Sequence, residues 1–302
     1  MRSTSSSTAT TVALQRAFES HRPPATRLFA DPLADDLITG GWRVLAAANR
    51  VPPLRPFVTR LYDAVAGPGP RPSAVARTRY IDDAVTAAVR TDEQVVLLGA
   101  GFDSRAHRLE SLRGVPVYEV DHPATQARKQ ELITRCRRRS TTVDYVPVDF
   151  EHDDLETALI TAGLDRGRRT CFVWEGVTNY LTATAVDHTL ATIRRLAPHG
   201  GTLVMTYVHA GVLDGSVHFP GSERWMRNVA RLGEPWTFGI RPEDASVFFA
   251  TRGFVPASDV STADVGDVWF GELGRREHPS ALYRIAVAQI DGTEGEVAEC
   301  PV

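Results

Sequence analysis

The chain has 302 residues, of which 43% are hydrophobic and 24% charged, as is typical of a globular protein with a sizeable core. A formal net charge of −3 provides no overall basic surface for nucleic acid or an anionic membrane. Three scattered cysteines, Cys136, Cys171 and Cys300, form no C-x-x-C pair and indicate neither a zinc site nor a disulfide framework. Since no apolar run resembles a leader or a membrane span, we expect a cytoplasmic protein without nucleic-acid or membrane partners.

Residues 1–90 predict a tail followed by a helical cap. The first ten residues are rich in Ser and Thr and are expected to be disordered. Helices are predicted for residues 12–20, for the residues that follow Asp31-Pro32, and for residues 73–89. Gly67 to Pro72 predict a loop before the last of these helices.

Between residues 91 and 290, short apolar runs alternate with helical stretches, a pattern typical of βαβ units. Strands are predicted at residues 95–98, 115–120, 143–148, 170–174, 202–208, 254–260 and 281–290. The fold class is therefore α/β, with a doubly wound, mostly parallel, seven-stranded Rossmann-like sheet. The aromatic segment at about 210–240 predicts a helical insertion after the fifth strand, and residues 291–302 predict a tail.

The first strand ends in a glycine-rich turn, Leu97-Leu98-Gly99-Ala100-Gly101, which leads into a helix. Gly-x-Gly between a strand and a helix lets a ligand approach the backbone and exposes amide groups at the helix start. Gly99 and Gly101 are therefore candidate cofactor-binding residues. By itself the pattern also fits a plain tight turn or a dinucleotide site.

Acidic residues stand at the ends of the next three strands: Asp121, Asp149 with Phe150 behind it, and Glu175. Ligands of open α/β sheets bind outside these carboxyl ends. An adenosine that carries a cationic sulfonium accounts for the whole set. The ribose hydroxyls are assigned to Asp121, adenine to Asp149 and Phe150, and the charged methionine half to Glu175. For Asp121 a second interpretation stays open, because it could cap the helix predicted just behind it.

Two other functions fit parts of this pattern. A nicotinamide dehydrogenase requires a third glycine where this chain has Ser104, and Asp103 would bring negative charge towards a pyrophosphate. The acids at Asp149 and Glu175 would also have no role in a dinucleotide site. A binding module that keeps the fold without catalysis is the second alternative, which the intact set of cofactor residues disfavours.

Several blocks of the chain resemble the leucine carboxyl methyltransferase family, which also contains tetracenomycin-type polyketide O-methyltransferases. The blocks are Leu28-Phe29-Ala30-Asp31-Pro32, Ala76-Arg77-Thr78-Arg79-Tyr80-Ile81-Asp82-Asp83, Gly99-Ala100-Gly101-Phe102-Asp103-Ser104-Arg105, Tyr118-Glu119-Val120-Asp121-His122-Pro123, Val146-Pro147-Val148-Asp149 and Trp174-Glu175-Gly176-Val177-Thr178-Asn179-Tyr180-Leu181-Thr182. The resemblance covers about Arg16 to Leu196 and is looser beyond.

The resemblance implies a class I methyltransferase fold with S-adenosylmethionine as methyl donor, and it places Arg77 on the carboxylate of that cofactor. The positions that match cofactor-contacting positions of the family are Gly99, Asp121, Asp149, Phe150 and Glu175. Where protein-directed members have leucine, this chain has Phe150, which leaves the substrate class open. The N-terminal lysine contact of the family has no match, and Arg16 is the available substitute.

The acceptor is predicted less directly. A carboxylate acceptor needs alignment and desolvation, whereas a phenol also needs a general base. We expect a methyl ester on a small molecule or peptide, with a phenolic or polyketide hydroxyl as the alternative. Candidate catalytic residues are Tyr180 after the fourth strand, and Tyr207 and His209 at the end of the fifth, although a lone histidine there is more often structural. Arg224 and Arg227 could pair with an acceptor carboxylate but more simply form a solvated helix face.

Overall fold

The computed structural model describes residues 7–134, 143–149 and 152–292. Its strands are β1 Gln94–Leu98, β2 Val117–Asp121, β3 Val143–Pro147, β4 Thr170–Trp174, β5 Gly201–Val208, β6 Phe254–Ser261 and β7 Tyr283–Ile290. They form one seven-stranded sheet in the order β3-β2-β1-β4-β5-β7-β6. Strands β1 to β5 pair in parallel, and β7 runs antiparallel to β5 and β6. The predicted mostly parallel α/β sheet is confirmed.

The position of β1 in this order determines where a ligand site can form. β1 lies between β2 and β4, so the chain leaves β1 towards one half of the sheet and returns through β4 to the other. The crevice at such a switch point receives ligands at the carboxyl ends of the strands. Every residue of β1, β4 and β5 is buried, which explains why these strands contain continuous apolar runs, at residues 95–98, 171–174 and 203–205, rather than an alternation of apolar and polar residues.

Helices cover both faces of the sheet. The helices are α1 Ser7–Ser20, α2 Ala34–Leu37, α3 Trp42–Arg50, α4 Arg55–Ala66, α5 Pro70–Ala88, α6 Arg105–Arg108, α7 Pro123–Ile133, α8 Leu155–Thr161, α9 Ala183–Leu196, α10 Ser222–Arg231, α11 Pro242–Ala250 and α12 Thr262–Glu272. α5 packs on one face with α12 beside it, while α8, α9 and α11 bury their apolar side chains on the other. Within the described ranges no helix is long and apolar enough to cross a membrane.

The beginning of the cap differs from the prediction. α1 starts at Ser7, so residues 7–10 are helical and the expectation of disorder is wrong for them; residues 1–6 lie outside the described residues. Tertiary contacts explain the difference, because the hydroxyl of Thr8 donates to Glu234 and the hydroxyl of Thr10 lies 3.3 Å from that of Thr39. Ser/Thr-rich composition favours disorder only where no packing partner is present.

Two other cap boundaries also need correction. α5 begins at Pro70 rather than residue 73, because proline is well suited to the first turn of a helix, and half of the predicted loop is therefore helical. Asp31 does not cap a long helix: α2 is a single turn that starts at Ala34. The Asp31 carboxylate instead accepts hydrogen bonds from Arg16 and Ser104, at 2.8 and 2.6 Å.

The insertion after β5 is confirmed as helical by α10. The helix α12, which fills the connection between β6 and β7, was not predicted from the sequence. Its start carries a capping box, in which Ser261 accepts from the amide of Asp264 and the Asp264 carboxylate accepts from the amide of Ser261. Of the predicted tail, residues 293–302 lie outside the described residues.

Candidate active site

The glycine turn after β1 is built so that only glycine fits at its first position. Gly99 has φ +64°, and a Cβ added there would overlap the side chain of Val177, which follows β4. Gly101 has φ +48° and lies under α1, where an added Cβ would be 3.4 Å from Ala9. The two glycines therefore allow two segments, one from β4 and one from the cap, to close around the turn.

Asp121 lies at the tip of β2, directly beside this turn. Its carboxylate accepts hydrogen bonds from the amide of Gly101 and from that of His122, the latter at 2.7 Å. Burial raises the pKa of Asp121, and the two backbone amides oppose this rise. Each carboxylate oxygen keeps a further lone pair for a ligand hydroxyl. The cap of α7 is His122, whose Nδ1 accepts from the amide of Ala124 at 3.2 Å, so the helix-cap interpretation of Asp121 is not supported.

Asp149 follows β3 and lies next to the same edge. The amide of Val148 donates to the carbonyl of Asp121 at 2.9 Å, which extends the β2–β3 pairing and holds Asp149 beside the tip of β2. The Asp149 carboxylate is 3.2 Å from Nδ1 of His152. Phe150, the predicted neighbour of adenine, lies outside the described residues. The structure thus brings Gly99, Gly101, Asp121 and Asp149 together at one edge.

Glu175, at the end of β4, is held by two arginines. Oε1 accepts from Nε of Arg77 at 2.6 Å, and Oε2 accepts from a terminal nitrogen of Arg105 at 2.5 Å. Burial alone would raise the pKa of Glu175, yet Arg105 and Arg77 hold it below its ordinary value. Arg77 comes from α5, and its terminal nitrogens make no hydrogen bond to any described residue. They are therefore available to bind the carboxylate of a ligand.

Arg105 is the centre of a buried charge network that the sequence motifs did not identify. Besides Glu175 it contacts Asp82 of α5 at 2.8 Å and Asp103 of the turn at 2.5 Å. Arg108 donates to both carboxylate oxygens of Asp82, at 2.6 and 2.7 Å. The network joins the cap helix, the turn and β4, so that the site is positioned by charges from three segments. Arg105 also neutralises Asp103, so the charge of Asp103 is a weaker argument against a dinucleotide site than the sequence indicates.

Arg16 extends this network from α1. Its Nε donates to Asp31 at 2.8 Å and a terminal nitrogen donates to the carbonyl of Phe102 at 2.5 Å. Arg16 therefore connects α1 to the glycine turn through the backbone. The sequence of α5 contained a signal for the charge network. Arg77, Ile81, Asp82 and Val85 share the buried face of this helix at helical spacing, although two of them are charged.

A second part of the site lies after β4 and beside α10. Asn179 is 1% exposed; its backbone carbonyl accepts from the amide of Thr237 at 2.7 Å and its Oδ1 accepts from the Tyr283 hydroxyl at 3.3 Å. Its Nδ2 has no acceptor in hydrogen-bonding geometry, and the same is true of Nε1 of Trp236. Burial raises the pKa of Tyr180, and the Trp236 and Asn179 side chains oppose this rise through poorly aligned hydrogen bonds to its hydroxyl. The Tyr180 hydroxyl thus lies next to both donors, and the catalytic role of Tyr180 stays a prediction.

Aromatic rings surround these donors. We call Tyr180, Trp225, Trp236 and Tyr283 the aromatic cluster. Trp225 stacks on Tyr283 with ring centroids 5.8 Å apart, and Trp236 meets Trp225 edge-on at 5.5 Å. The Arg77 guanidinium lies 4.8 Å from the centre of the Tyr283 ring, so the cluster adjoins the Glu175–Arg77 pair.

Tyr207 is not brought to this site, and we correct its assignment as a catalytic residue. Its hydroxyl donates to Asp259 of β6 at 2.8 Å and accepts from Arg284 of β7 at 3.2 Å. Tyr207 pairs with Arg284 across β5 and β7, so the neighbouring residue Tyr283 points to the opposite face of the sheet. Tyr207 therefore packs in the core on the side away from the aromatic cluster.

His209 begins the turn after β5. Its Nδ1 accepts a hydrogen bond from the amide of Gly211 at 3.0 Å, and its ring meets Phe219 edge-on. Burial lowers its pKa, which favours the neutral ring. Because Nδ1 is an acceptor, the proton of the neutral ring is assigned to Nε2, and the basic nitrogen is already engaged. In the insertion, Arg224 donates to the carbonyl of Ala64 at 2.9 Å, while Arg227 lies 3.4 Å from Glu223 on the exposed face of α10.

Residues 9–194 match the sequence model of the leucine carboxyl methyltransferase family. The chain belongs to this family. It is 33% identical over 249 residues to a proposed S-adenosyl-L-methionine-dependent methyltransferase of Streptomyces coelicolor, in an alignment that covers 77% of this chain and 81% of the relative. A proposed S-adenosyl-L-methionine-dependent methyltransferase of Frankia alni is 35% identical over 217 residues, with 68% and 70% covered.

Solved structures share the fold of this family member. A proposed methyltransferase from Thermobifida fusca superposes with a TM-score of 0.55 at 18% identity and covers 96% of both chains. A DUF574 family protein from Streptomyces avermitilis gives a TM-score of 0.55 at 15% identity, with 95% of this chain and 98% of that one covered. The seven-stranded Rossmann-like architecture is thus that of methyltransferases, while the roles of the individual site residues stay predictions.

Proposed function

We propose that this chain transfers a methyl group from S-adenosylmethionine to a carboxylate oxygen of a small molecule or peptide, forming a methyl ester. Membership of the leucine carboxyl methyltransferase family supports the coarser part of this statement: the chain is a methyltransferase that uses S-adenosylmethionine. The choice of acceptor is our own inference and depends on the residues beside the aromatic cluster.

The residues at the sheet edge fit the cofactor. The tight turn at Gly99 and Gly101 allows close approach, and the lone pairs left on Asp121 suit ribose hydroxyls. Asp149 is positioned for the adenine end. Glu175 offers negative charge to the ammonium and sulfonium half, and the free terminal nitrogens of Arg77 suit its carboxylate. When bound, the cofactor supplies an electrophilic methyl group.

The observation that supports a carboxylate acceptor is the pair of buried donors, Nδ2 of Asn179 and Nε1 of Trp236, whose contacts with the Tyr180 hydroxyl lack hydrogen-bonding geometry. A buried donor without an acceptor costs about 1–3 kcal/mol, so a ligand that supplies an acceptor gains this energy on binding. A carboxylate has two oxygens that only accept, whereas a phenol or an amine also brings a proton. The two donors therefore match a carboxylate best.

No general base is needed for such an acceptor. A carboxylic acid is ionised near neutral pH, so the chain must only align the carboxylate and exclude water. The aromatic cluster excludes water around the acceptor, and Asn179 and Trp236 orient its oxygens. The phenol alternative would need a base, and the basic nitrogen of His209 is engaged by the amide of Gly211.

The test uses cofactor labelled at the methyl group and a panel of carboxylic acids and phenols. An ester carbonyl is open to hydroxide, so we expect the product label to be released as methanol by mild alkali. Label that survives alkali would show an ether or a methylamine and would refute the carboxylate assignment while leaving methyl transfer intact.

A further inference from the structure

The outer surface of α3 and α4 exposes a concentration of large apolar side chains. Within the described residues, seven of the twelve large apolar side chains that are more than a third exposed fall between residues 42 and 65. We call them the α3–α4 face: Trp42, Val44, Val51, Leu54, Phe57, Leu61 and Val65. The other five are spread over residues 160–268, so the exposed apolar side chains are concentrated in this one segment, and such concentrations mark interaction sites.

The face follows helical geometry and continues through the turn. Leu54, Phe57, Leu61 and Val65 recur every three or four residues and therefore share one side of α4, with Phe57 and Val65 each 67% exposed. Val58 and Tyr62 fill the opposite side and pack into the cap. In the turn between α3 and α4, Pro52 and Pro53 are exposed together with Val51 and Leu54.

The same segment is strongly basic. Residues 42–65 contain four arginines and one acid, Asp63, a formal charge of +3 in a chain of net charge −3, and Asp63 is itself paired with Arg71 at 2.8 Å. The side chains of the exposed Arg43 and Arg60 make no hydrogen bond or ion pair with any described residue. Arg50 pairs with Asp35 at 2.9 Å but its side chain remains 59% exposed, and Nε of Arg55 donates only to a backbone carbonyl. The apolar face is thus flanked by guanidinium groups that can accept an anionic partner.

We propose that the α3–α4 face docks this methyltransferase onto an anionic lipid bilayer, with the apolar side chains in the interfacial region and the arginines on lipid phosphates. Aromatic and aliphatic side chains combined with an excess of arginine over acids are typical of helices that lie in a membrane interface. A bilayer accommodates apolar groups from two helices and a turn at once and needs no matching groove. A second copy of the chain fits less well, because a symmetric contact would bring the four arginines against one another.

This proposal replaces the expectation, based on net charge, that membranes play no part. Acids elsewhere in the chain outweigh the local charge, so composition conceals it. The face also adjoins the acceptor side of the molecule, since α4 ends against α10: Arg224 donates to the carbonyl of Ala64 at 2.9 Å. No residue of the α3–α4 face belongs to the glycine turn or the aromatic cluster, so docking can be tested independently of methyl transfer.

The experiment measures co-sedimentation of the full chain with two kinds of extruded vesicle, phosphatidylcholine alone and an equimolar mixture with phosphatidylglycerol. We expect binding to the anionic vesicles that weakens as salt is added, and little binding to the neutral ones. Phe57→Ser combined with Leu61→Ser should lower the partition coefficient at least about tenfold. Arg43→Gln combined with Arg60→Gln should lower it about fivefold for each arginine.

Two variants serve as controls because they make the same kinds of change elsewhere on the surface, from an exposed apolar residue to Ser and from an exposed arginine to Gln. Val247, which is 64% exposed on α11, is changed to Ser, and the exposed Arg90 to Gln; both should bind vesicles like the original chain. Equal binding to both vesicle types, or unchanged binding by the α3–α4 variants, overturns the proposal. It is also overturned if light scattering shows a dimer that Phe57→Ser and Leu61→Ser dissociate, because the face would then contact a second copy.

Discussion

The two halves of the site differ in how far their polar groups are satisfied. Around the glycine turn, the carboxylates of Glu175, Asp82 and Asp103 are all paired with Arg105, and Asp121 accepts two backbone amides. On the acceptor side, Asn179 and Trp236 each bury a donor without an acceptor. The first half is held in place by the protein itself, whereas we propose that the second half is completed by its ligand.

This difference has a physical reason. The cofactor is the same in every turnover, so a site held by buried ion pairs loses no energy to reorganisation when it binds. A buried ion pair is weak evidence for stability, but the removal of one partner is costly because it leaves a charge without compensation. Unsatisfied donors instead provide selectivity, since only ligands with acceptor atoms relieve their desolvation cost. We therefore expect substitutions in the two halves to have separable effects.

The largest effect is expected for Glu175→Gln. This change leaves Arg77 and Arg105 buried without their shared carboxylate, and should cost about 3 kcal/mol of unfolding free energy in denaturant titrations. Cofactor affinity should fall with it. The pKa of Glu175 is lower in the folded than in the unfolded state. The ionised carboxylate therefore stabilises the fold fully above its unfolded-state pKa of about 4.3, and this stabilisation is lost as the pH falls below that value. The difference in unfolding free energy between Glu175→Gln and the original chain should therefore become smaller at acidic pH.

The control for this prediction is Glu156→Gln, because Glu156 pairs with Arg195 on the surface, where the arginine side chain is 47% exposed. A surface pair is worth at most about 1 kcal/mol. If Glu175→Gln and Glu156→Gln lower the unfolding free energy by the same amount, the buried network does not organise the cofactor half.

Asp121→Ala should weaken the binding of S-adenosylhomocysteine at least about tenfold, because it removes a charged acceptor worth about 1.5–3 kcal/mol per hydrogen bond. Calorimetry measures the affinity, and circular dichroism checks that the fold is retained. Unchanged affinity would mean that Asp121 only supports the turn through Gly101. NAD should show no heat of binding with either chain.

Arg77→Lys should reduce cofactor affinity about tenfold, since an ammonium group cannot reproduce a guanidinium that binds Glu175 and a ligand carboxylate together. The same calorimetric titration measures this effect. Retained affinity would show that Arg77 positions Glu175 without touching the cofactor.

Trp236→Phe should act on the acceptor half alone. It removes one buried donor and keeps most of the ring, so the KM for a carboxylate acceptor should rise about fivefold, or about 1 kcal/mol. Cofactor affinity should stay unchanged. If instead the cofactor affinity falls and the acceptor KM does not, the two halves are not separable in the way their hydrogen bonds indicate.

The smallest effect is expected for His209→Ala, which should change kcat by less than about twofold because an ionised carboxylate needs no proton removed. Initial rates at saturating acceptor measure it. A loss of about a hundredfold, the size expected for a general base, would favour the hydroxyl acceptor.

Local sequence patterns determined most of the fold and the cofactor half. The apolar runs, the glycine turn and the strand-end acids are each read within a few residues, and parallel strands bring their carboxyl ends to one edge whatever the rest of the chain does. This is why β4 was predicted to the residue and why Asp121 and Glu175 lie where they were expected.

Tertiary structure alone decided what the local patterns leave open. Alternation along β5 shows that Tyr207 and Val208 face opposite sides, but the pairing with β7 determines that Tyr207 points away from the site. The free donors of Asn179 and Trp236 come from segments far apart in the chain, and satisfaction of a hydrogen bond is a property of the folded surroundings. The exposure of the α3–α4 face was likewise decided by packing, because the sequence gives the positions of its apolar residues and arginines but not which of them the folded chain leaves in solvent.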